Sequence, residues 1–281
     1  MKSKGRNKAA SSCLALAGIY FALTGLDAQA GTMGPLTAAP GNIYVGVFGG
    51  GGASTTTDIS QYGTALFSQD AGGPLAVNAL GRAESHSVGI VGGQIGFLWT
   101  DSSASFANWA LIPAFEAEGY YLGKSNFTGH EINNATTRLP EHDFAVTYPM
   151  SAGVFLINSV LNFNSNSWFH PYIGAGIGGA VVSISNADSL QTSPMEAGIN
   201  HYNSNNNDKD GTFAGQIKIG STFAVNQHFG VFAEYRWLYL APASYTFGST
   251  VYPTHVATNA WQVELGAQKY NMGAAGIRYT F

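Results

Sequence analysis

The sequence predicts an all-β fold: a membrane-spanning, up-and-down antiparallel β-barrel, most simply of eight strands, with four long loops on one side. Three observations carry that prediction. Met272 to Phe281 alternates strictly, with Gly273, Ala275, Ile277, Tyr279 and Phe281 on one face and Ala274, Gly276, Arg278 and Thr280 on the other. A period of two over ~10 residues suits a strand that crosses hydrocarbon, and an apolar strand in the final position is expected to close a sheet rather than fray into water. Charged residues make up only 10% of the chain while 36 residues are glycine, against ~25% charged in ordinary soluble domains. No stretch approaches the ~18 continuous apolar residues of a spanning helix, so a closed barrel is the remaining way to satisfy backbone polar groups in lipid.

At the other end, residues 1–30 have the three parts of a secretory signal peptide. Lys2, Lys4, Arg6 and Lys8 are basic, Cys13 to Leu26 is apolar, and Ala28-Gln29-Ala30 offers small residues before Gly31. The expected organisation is therefore 1–30 signal peptide and 31–281 outer-membrane β-barrel. Cys13 falls in the signal, so disulfides, thiol catalysis and cysteine metal sites are excluded from the remainder. The signal takes four of the 12 Lys+Arg and one of the 16 Asp+Glu, leaving 8 against 15 and a net charge of −7. That balance argues against nucleic-acid partners, whose phosphates need cations.

Eight segments then read as strands, at about 42–50, 88–100, 109–122, 148–160, 170–184, 212–225, 229–240 and 271–281. The connections alternate long (51–87, 123–147, 185–211, 241–270) and short (101–108, 161–169, 226–228), the rhythm of a barrel with outer loops and periplasmic turns. Within 88–100, Val91, Ile95, Phe97 and Trp99 oppose Gly92, Gln94 and Gly96. Within 109–122, Leu111, Phe115 and Tyr121 face lipid and Glu116 and Glu118 face in. In 148–160, Ala152, Val154 and Leu156 compete with Phe155 and Ile157, leaving both facings open. Within 212–225, Phe213, Ile217, Ile219 and Phe223 oppose Gln216, Lys218 and Thr222. Within 229–240, Val231, Ala233, Tyr235, Trp237 and Tyr239 meet lipid, with Glu234 and Arg236 inside. Trp261 to Ala267 also alternates, as an extension of the wall, an ordered loop hairpin, or part of a ten-strand barrel.

Three stretches resemble the small outer-membrane β-barrel family, the OmpA-type transmembrane domain with its OmpX-like and opacity-type, porin-like relatives. They are Trp168-Phe-His-Pro-Tyr-Ile-Gly-Ala-Gly-Ile-Gly-Gly-Ala180, Gly230-Val-Phe-Ala-Glu-Tyr-Arg-Trp237 and Gly276-Ile-Arg-Tyr-Thr-Phe281. The resemblance implies an outer-membrane barrel, and it makes Ile277, Tyr279 and Phe281 a C-terminal assembly signal read by the barrel-insertion machinery. No peptidoglycan-binding domain is expected after Phe281, and the outer loops are expected to exceed those of the smallest members. The family's functions are diverse, so the resemblance implies little about activity.

The inward ionisable set is Glu116, Glu118, Lys218, Glu234, Arg236 and Arg278, three of each sign. An eight-stranded interior is filled by side chains, and unpaired charge there is costly, so a plugging ion-pair network is expected, with a gated pore as the alternative. Asn206 to Gly211 echoes a calcium loop, but position 217 is Ile217 where a bidentate glutamate belongs. Gly49 to Gly52 lack a phosphate-loop context. His86-Ser87 is an adjacent Ser/His pair whose side chains would face opposite ways on a strand, and His130, His142, His201 and His255 lack metal-ligand spacing. No cofactor, no metal and no catalytic residue are therefore expected. The expected protein is a monomeric bacterial outer-membrane barrel, both termini periplasmic. Its structural and loop-mediated role would be contact with outer-membrane lipid, lipopolysaccharide or a host or extracellular ligand. The alternatives are a small porin and, further off, a lipid-modifying enzyme.

Overall fold

A computed structural model of the chain describes residues 41–281 apart from 103, 107, 108 and 166. The expected signal peptide at 1–30, Cys13 included, lies outside the described residues. Alternation of small and large apolar residues makes nearly everything else strand. In chain order these are β1 (Asn42–Ser54), β2 (Thr57–Ala65), β3 (Leu75–Ala83), β4 (Ser87–Leu98), β5 (Ala104–Phe106), β6 (Trp109–Asn133) and β7 (Asp143–Asn164). There follow β8 (Phe169–Ile184), β9 (Asp188–Ser193), β10 (Asp208–Ala224), β11 (Phe229–Leu240), β12 (Ala243–Phe247), β13 (Trp261–Leu265) and β14 (Gln268–Thr280).

Eight of them close a ring in the order β1-β4-β6-β7-β8-β10-β11-β14, every pairing antiparallel and β14 returning to β1. These are the eight segments expected from the sequence, so within the wall the ten-strand alternative falls away. Tyr44 pairs with Thr280 at the rim that also carries the short connections 165–168 and 225–228, and Ser54 pairs with Tyr270 towards the other end. Val47, Val91, Phe155, Ile177, Ile219 and Ile277 stand exposed around the ring. An apolar surface this extensive has no place in water and marks the lipid-facing belt. Aromatic residues gather at the short-turn rim, with Trp168 on Phe223 at 5.5 Å and Phe97 against Trp99 at 5.3 Å. Trp237 and Tyr239 stack near the opposite border. The open facing of β7 resolves: Ala152, Val154 and Leu156 are buried inside, and Phe155 and Ile157 are exposed outside.

The expected long loops need correction. They are largely strands, and they build a distal tier on the wall. β6 and β7 continue past the membrane belt as a pair to Ile132↔Asp143, with one irregularity between Leu122 and Ser125. β3 joins β6, β2 joins β3, β13 joins β2, and β12 joins β13, while β9 adds to β7 on the other side. The physical reason is an apolar face in each connection. Val77, Phe127, Tyr148, Phe247, Trp261 and Val263 are buried together in one core. Trp261 to Leu265 thus belongs to an ordered outer layer, not to the membrane wall.

The free edge of β12 meets β10 through side chains. Asp210 Oδ2 accepts the Ser244 N–H at 2.9 Å and Asp208 Oδ2 the Thr246 N–H at 2.6 Å. The acidic run that echoes a calcium loop is an edge clamp, a device that blunts exposed strand donors.

Candidate functional site

Midway through the wall the strands aim five ionisable side chains at one another. Lys218 Nζ meets Glu116 and lies 3.3 Å from Glu118 Oε2. Arg236 bridges Glu118 to Glu234, with its Nε 2.7 Å from Glu234 Oε1. All five are buried. Neutral partners complete the carboxylates, as buried ions require. Tyr44 donates its hydroxyl to Glu116 at 2.8 Å and Tyr172 to Glu234 at 2.7 Å. Asn158 Nδ2 reaches both Glu116 and Glu118, at 2.9 and 2.8 Å. Gln216 Nε2 donates to Glu118 at 3.2 Å, and Gln216 Oε1 accepts from the Tyr120 hydroxyl at 3.1 Å.

Glycine makes room for this crossing. A Cβ on Gly96 would lie 2.3 Å from the Tyr44 ring, and one on Gly220 would lie 2.5 Å from the Glu234 Cβ and 2.8 Å from the Tyr172 hydroxyl. The phenols lie flat across the interior only because these wall positions have no side chain.

Arg278 corrects the expected set. It sits nearer the short-turn rim and forms no ion pair among the described residues. Its guanidinium lies instead over the Tyr44 ring at 4.3 Å, with Tyr172 and Phe232 at 5.6 and 5.7 Å. Three carboxylates against Lys218 and Arg236 leave one negative charge, which Arg278 balances through the ring it covers. Below it opens a cavity of about 530 Å³ bordered by Asn42, Asn162, His170, His228 and Thr280. Ile277 and Phe281 of the expected assembly signal face outward, Tyr279 contacts Phe229 and Phe281 at 4.9 Å each, and the Phe281 N–H reaches Ile43 O at 2.9 Å.

The other candidates separate. His86 pairs not with Ser87 but with Ser54, Nδ1 to Oγ at 2.7 Å, and packs on Phe127 at 3.7 Å. Burial pushes the half-buried His86 down to about 4, and its partner Ser54 is buried. The contact ties the end of β1 to the connection between β3 and β4. His130 is exposed on Asp143 at 2.9 Å. His142, His201 and His255 line a single cavity in the distal tier. Sequence reasoning also missed Glu131, wholly buried in the tier with both carboxylate oxygens unpartnered, so that burial pushes it up to about 8. Only an acidic residue on an apolar strand face could have flagged it, and that strand was expected to be loop.

No protein-family model matches the chain, and no curated protein matches it in sequence. Solved structures similar to it include small outer-membrane β-barrels. The outer membrane protein OprG from Pseudomonas aeruginosa is 15% identical over 84% of this chain and 95% of its own, with a TM-score of 0.37. The outer membrane protease OmpT from Escherichia coli is 12% identical over 88% and 99%, also at 0.37. Neisserial surface protein A is 15% identical over 82% and 99%, at 0.28. The barrel assignment rests on the closed ladder of this chain itself.

Proposed function

We propose that the protein is a sealed barrel of the bacterial outer membrane whose distal tier stands at the cell surface as a structural and interaction platform. The observation that carries this reading is the filled interior. Glu116, Glu118, Lys218, Glu234 and Arg236 are buried and mutually satisfied across the lumen. Such an interior anchors a wall and conducts poorly. Short turns at one rim and long structured connections at the other support a periplasmic and an exterior side respectively. The chemistry lies in displayed surface, where a rigid scaffold positions recognition elements. Lipopolysaccharide and a host or extracellular ligand are the partners this surface suits, and delivery would run through the barrel-insertion machinery. We read the role as binding rather than catalysis, because in the one side-chain Ser–His hydrogen bond among the described residues the far ring nitrogen, His86 Nε2, has no acid on it.

Planar-bilayer recording of the purified barrel tests the reading. A silent membrane, from protein that still shifts on heating in a gel, is expected. Stable and reproducible conductance steps would overturn it in favour of a small porin, with Lys218, Arg236 and Arg278 as the lining residues to mutate.

A further inference from the structure

The distal tier brings together three side chains that sequence spacing keeps apart. Glu196 and His201 lie in the connection after β9, and His255 in the connection between β12 and β13. One donor atom of each lies within 4.8 Å of the other two. They line a cavity of about 250 Å³ that His142 and Trp261 also border.

Hydrogen bonding fixes what the imidazoles can offer. His201 Nδ1 is 2.9 Å from Ser189 O, and His255 Nδ1 is 2.6 Å from Val256 O. A carbonyl only accepts, so each Nδ1 carries the proton and each Nε2 presents a lone pair. His142 is held the same way, its Nδ1 2.7 Å from Pro140 O. Metal-ligating histidines are commonly oriented by such a backbone carbonyl on the other ring nitrogen.

The His255 Nε2 lone pair then faces Glu196 Oε2 across 3.4 Å. Two acceptors at that distance need a positive charge between them. A proton on His255 would serve that pair but leave His201 unserved, whereas a metal ion serves all three. Ligands about 2.0–2.1 Å from a tetrahedral zinc ion stand roughly 3.4 Å apart, the separation already present between Glu196 and His255. The surrounding shell is fixed as well. Thr250 Oγ1 donates to His201 O at 2.9 Å and accepts from Trp261 Nε1 at 3.0 Å, while the Asn200 N–H reaches the Tyr252 hydroxyl at 3.1 Å.

We propose that Glu196, His201 and His255 form a binding site for a zinc-class divalent cation, with the fourth position turned to the cavity beside His142. Two imidazoles and one carboxylate are a borderline-soft set that suits zinc over calcium or magnesium. A bound ion would tie the β8–β10 connection to the β11–β14 connection and so brace the tier.

The test is calorimetric titration of the purified, metal-stripped barrel with zinc chloride, with cobalt(II) absorption as the spectroscopic readout. The expected result is one ion per barrel, intense four- or five-coordinate cobalt bands, and a rise in the thermal midpoint. His255→Ala and Glu196→Gln, both at partly exposed side chains, should fold normally and weaken binding by roughly a hundredfold or more, beyond what loss of an outer-shell partner costs. His130→Ala, outside the cavity, should bind as the parent does. Absence of zinc uptake by the parent protein would overturn the proposal and leave a proton-bridged His255–Glu196 pair. Unchanged affinity in both ligand variants, or equal loss in His130→Ala, would overturn it too.

Discussion

The membrane-spanning wall and the distal tier share strands and one apolar core, yet they differ in where charge sits. Along β6, Phe115 and Tyr121 face out while Glu116 and Glu118 are buried within; beyond the irregularity at Leu122/Ser125, Phe127 is buried and His130 is exposed. In the wall the ions sit inside. In the tier the interior is a packed cluster that includes Tyr148, Phe247, Trp261 and Leu265. The medium outside explains the difference. Lipid gives apolar outer residues nothing to escape, so the wall can turn large apolar residues outward and close a paired ion network inside. Water around the tier restores the ordinary drive to bury apolar surface.

The largest expected effect probes the wall. Arg236→Ala leaves Glu118 and Glu234 buried without their shared cation and should cost about 3–5 kcal/mol, read as a fall in the urea midpoint for folding into vesicles. A loss near zero would mean that water already screens the network, and the contrast between the two regions would fail. Next comes the tier. Leu265, fully buried, becomes a cavity in Leu265→Ala, which should cost about 2–4 kcal/mol. The loss should stay local, with faster proteolysis of 241–267 while the wall still shifts on heating; simultaneous collapse of both regions would show that they form one cooperative unit.

The smallest effect, taken per pH unit, is a slope. Glu131 is raised from 4.5 to about 8 by burial, so the folded tier holds a proton that the unfolded chain has released between those values. Its contribution is whole below pH 4.5 and is lost as pH rises towards about 8, at up to about 1.4 kcal/mol per pH unit. Glu131→Gln should flatten the dependence of tier proteolysis on pH. An unchanged slope would place the titration elsewhere.

The wall was legible because lipid and lumen impose opposite polarity on alternate residues, so 88–100, 212–225 and 229–240 declare both faces at once. The inward set was legible for the same reason, except that alternation cannot tell an ion pair from a guanidinium lying on a ring, and Arg278 is the second kind. The tier was hidden for two reasons. At Leu122/Ser125 an extra residue shifts the alternation by one, so 123–133 no longer matches the pattern before it. Its strands also pair across great separations, as Gln61 does with Val263, and local pattern carries no record of such partners. The histidine cavity draws on three separate connections, which is why spacing along the chain says nothing of it.

The seam between β1 and β14 runs through eleven consecutive partners, from Tyr44↔Thr280 to Ser54↔Tyr270. Over its lipid-facing length no water stands ready to replace a broken amide bond, so the seam has no cheap first step by which to unzip. Departure from the bilayer is then a single, steep event rather than a gradual loosening. The endurance of this barrel is a lifetime set by a barrier, and a cell that places it can dilute it by growth or destroy it, but can hardly take it out again.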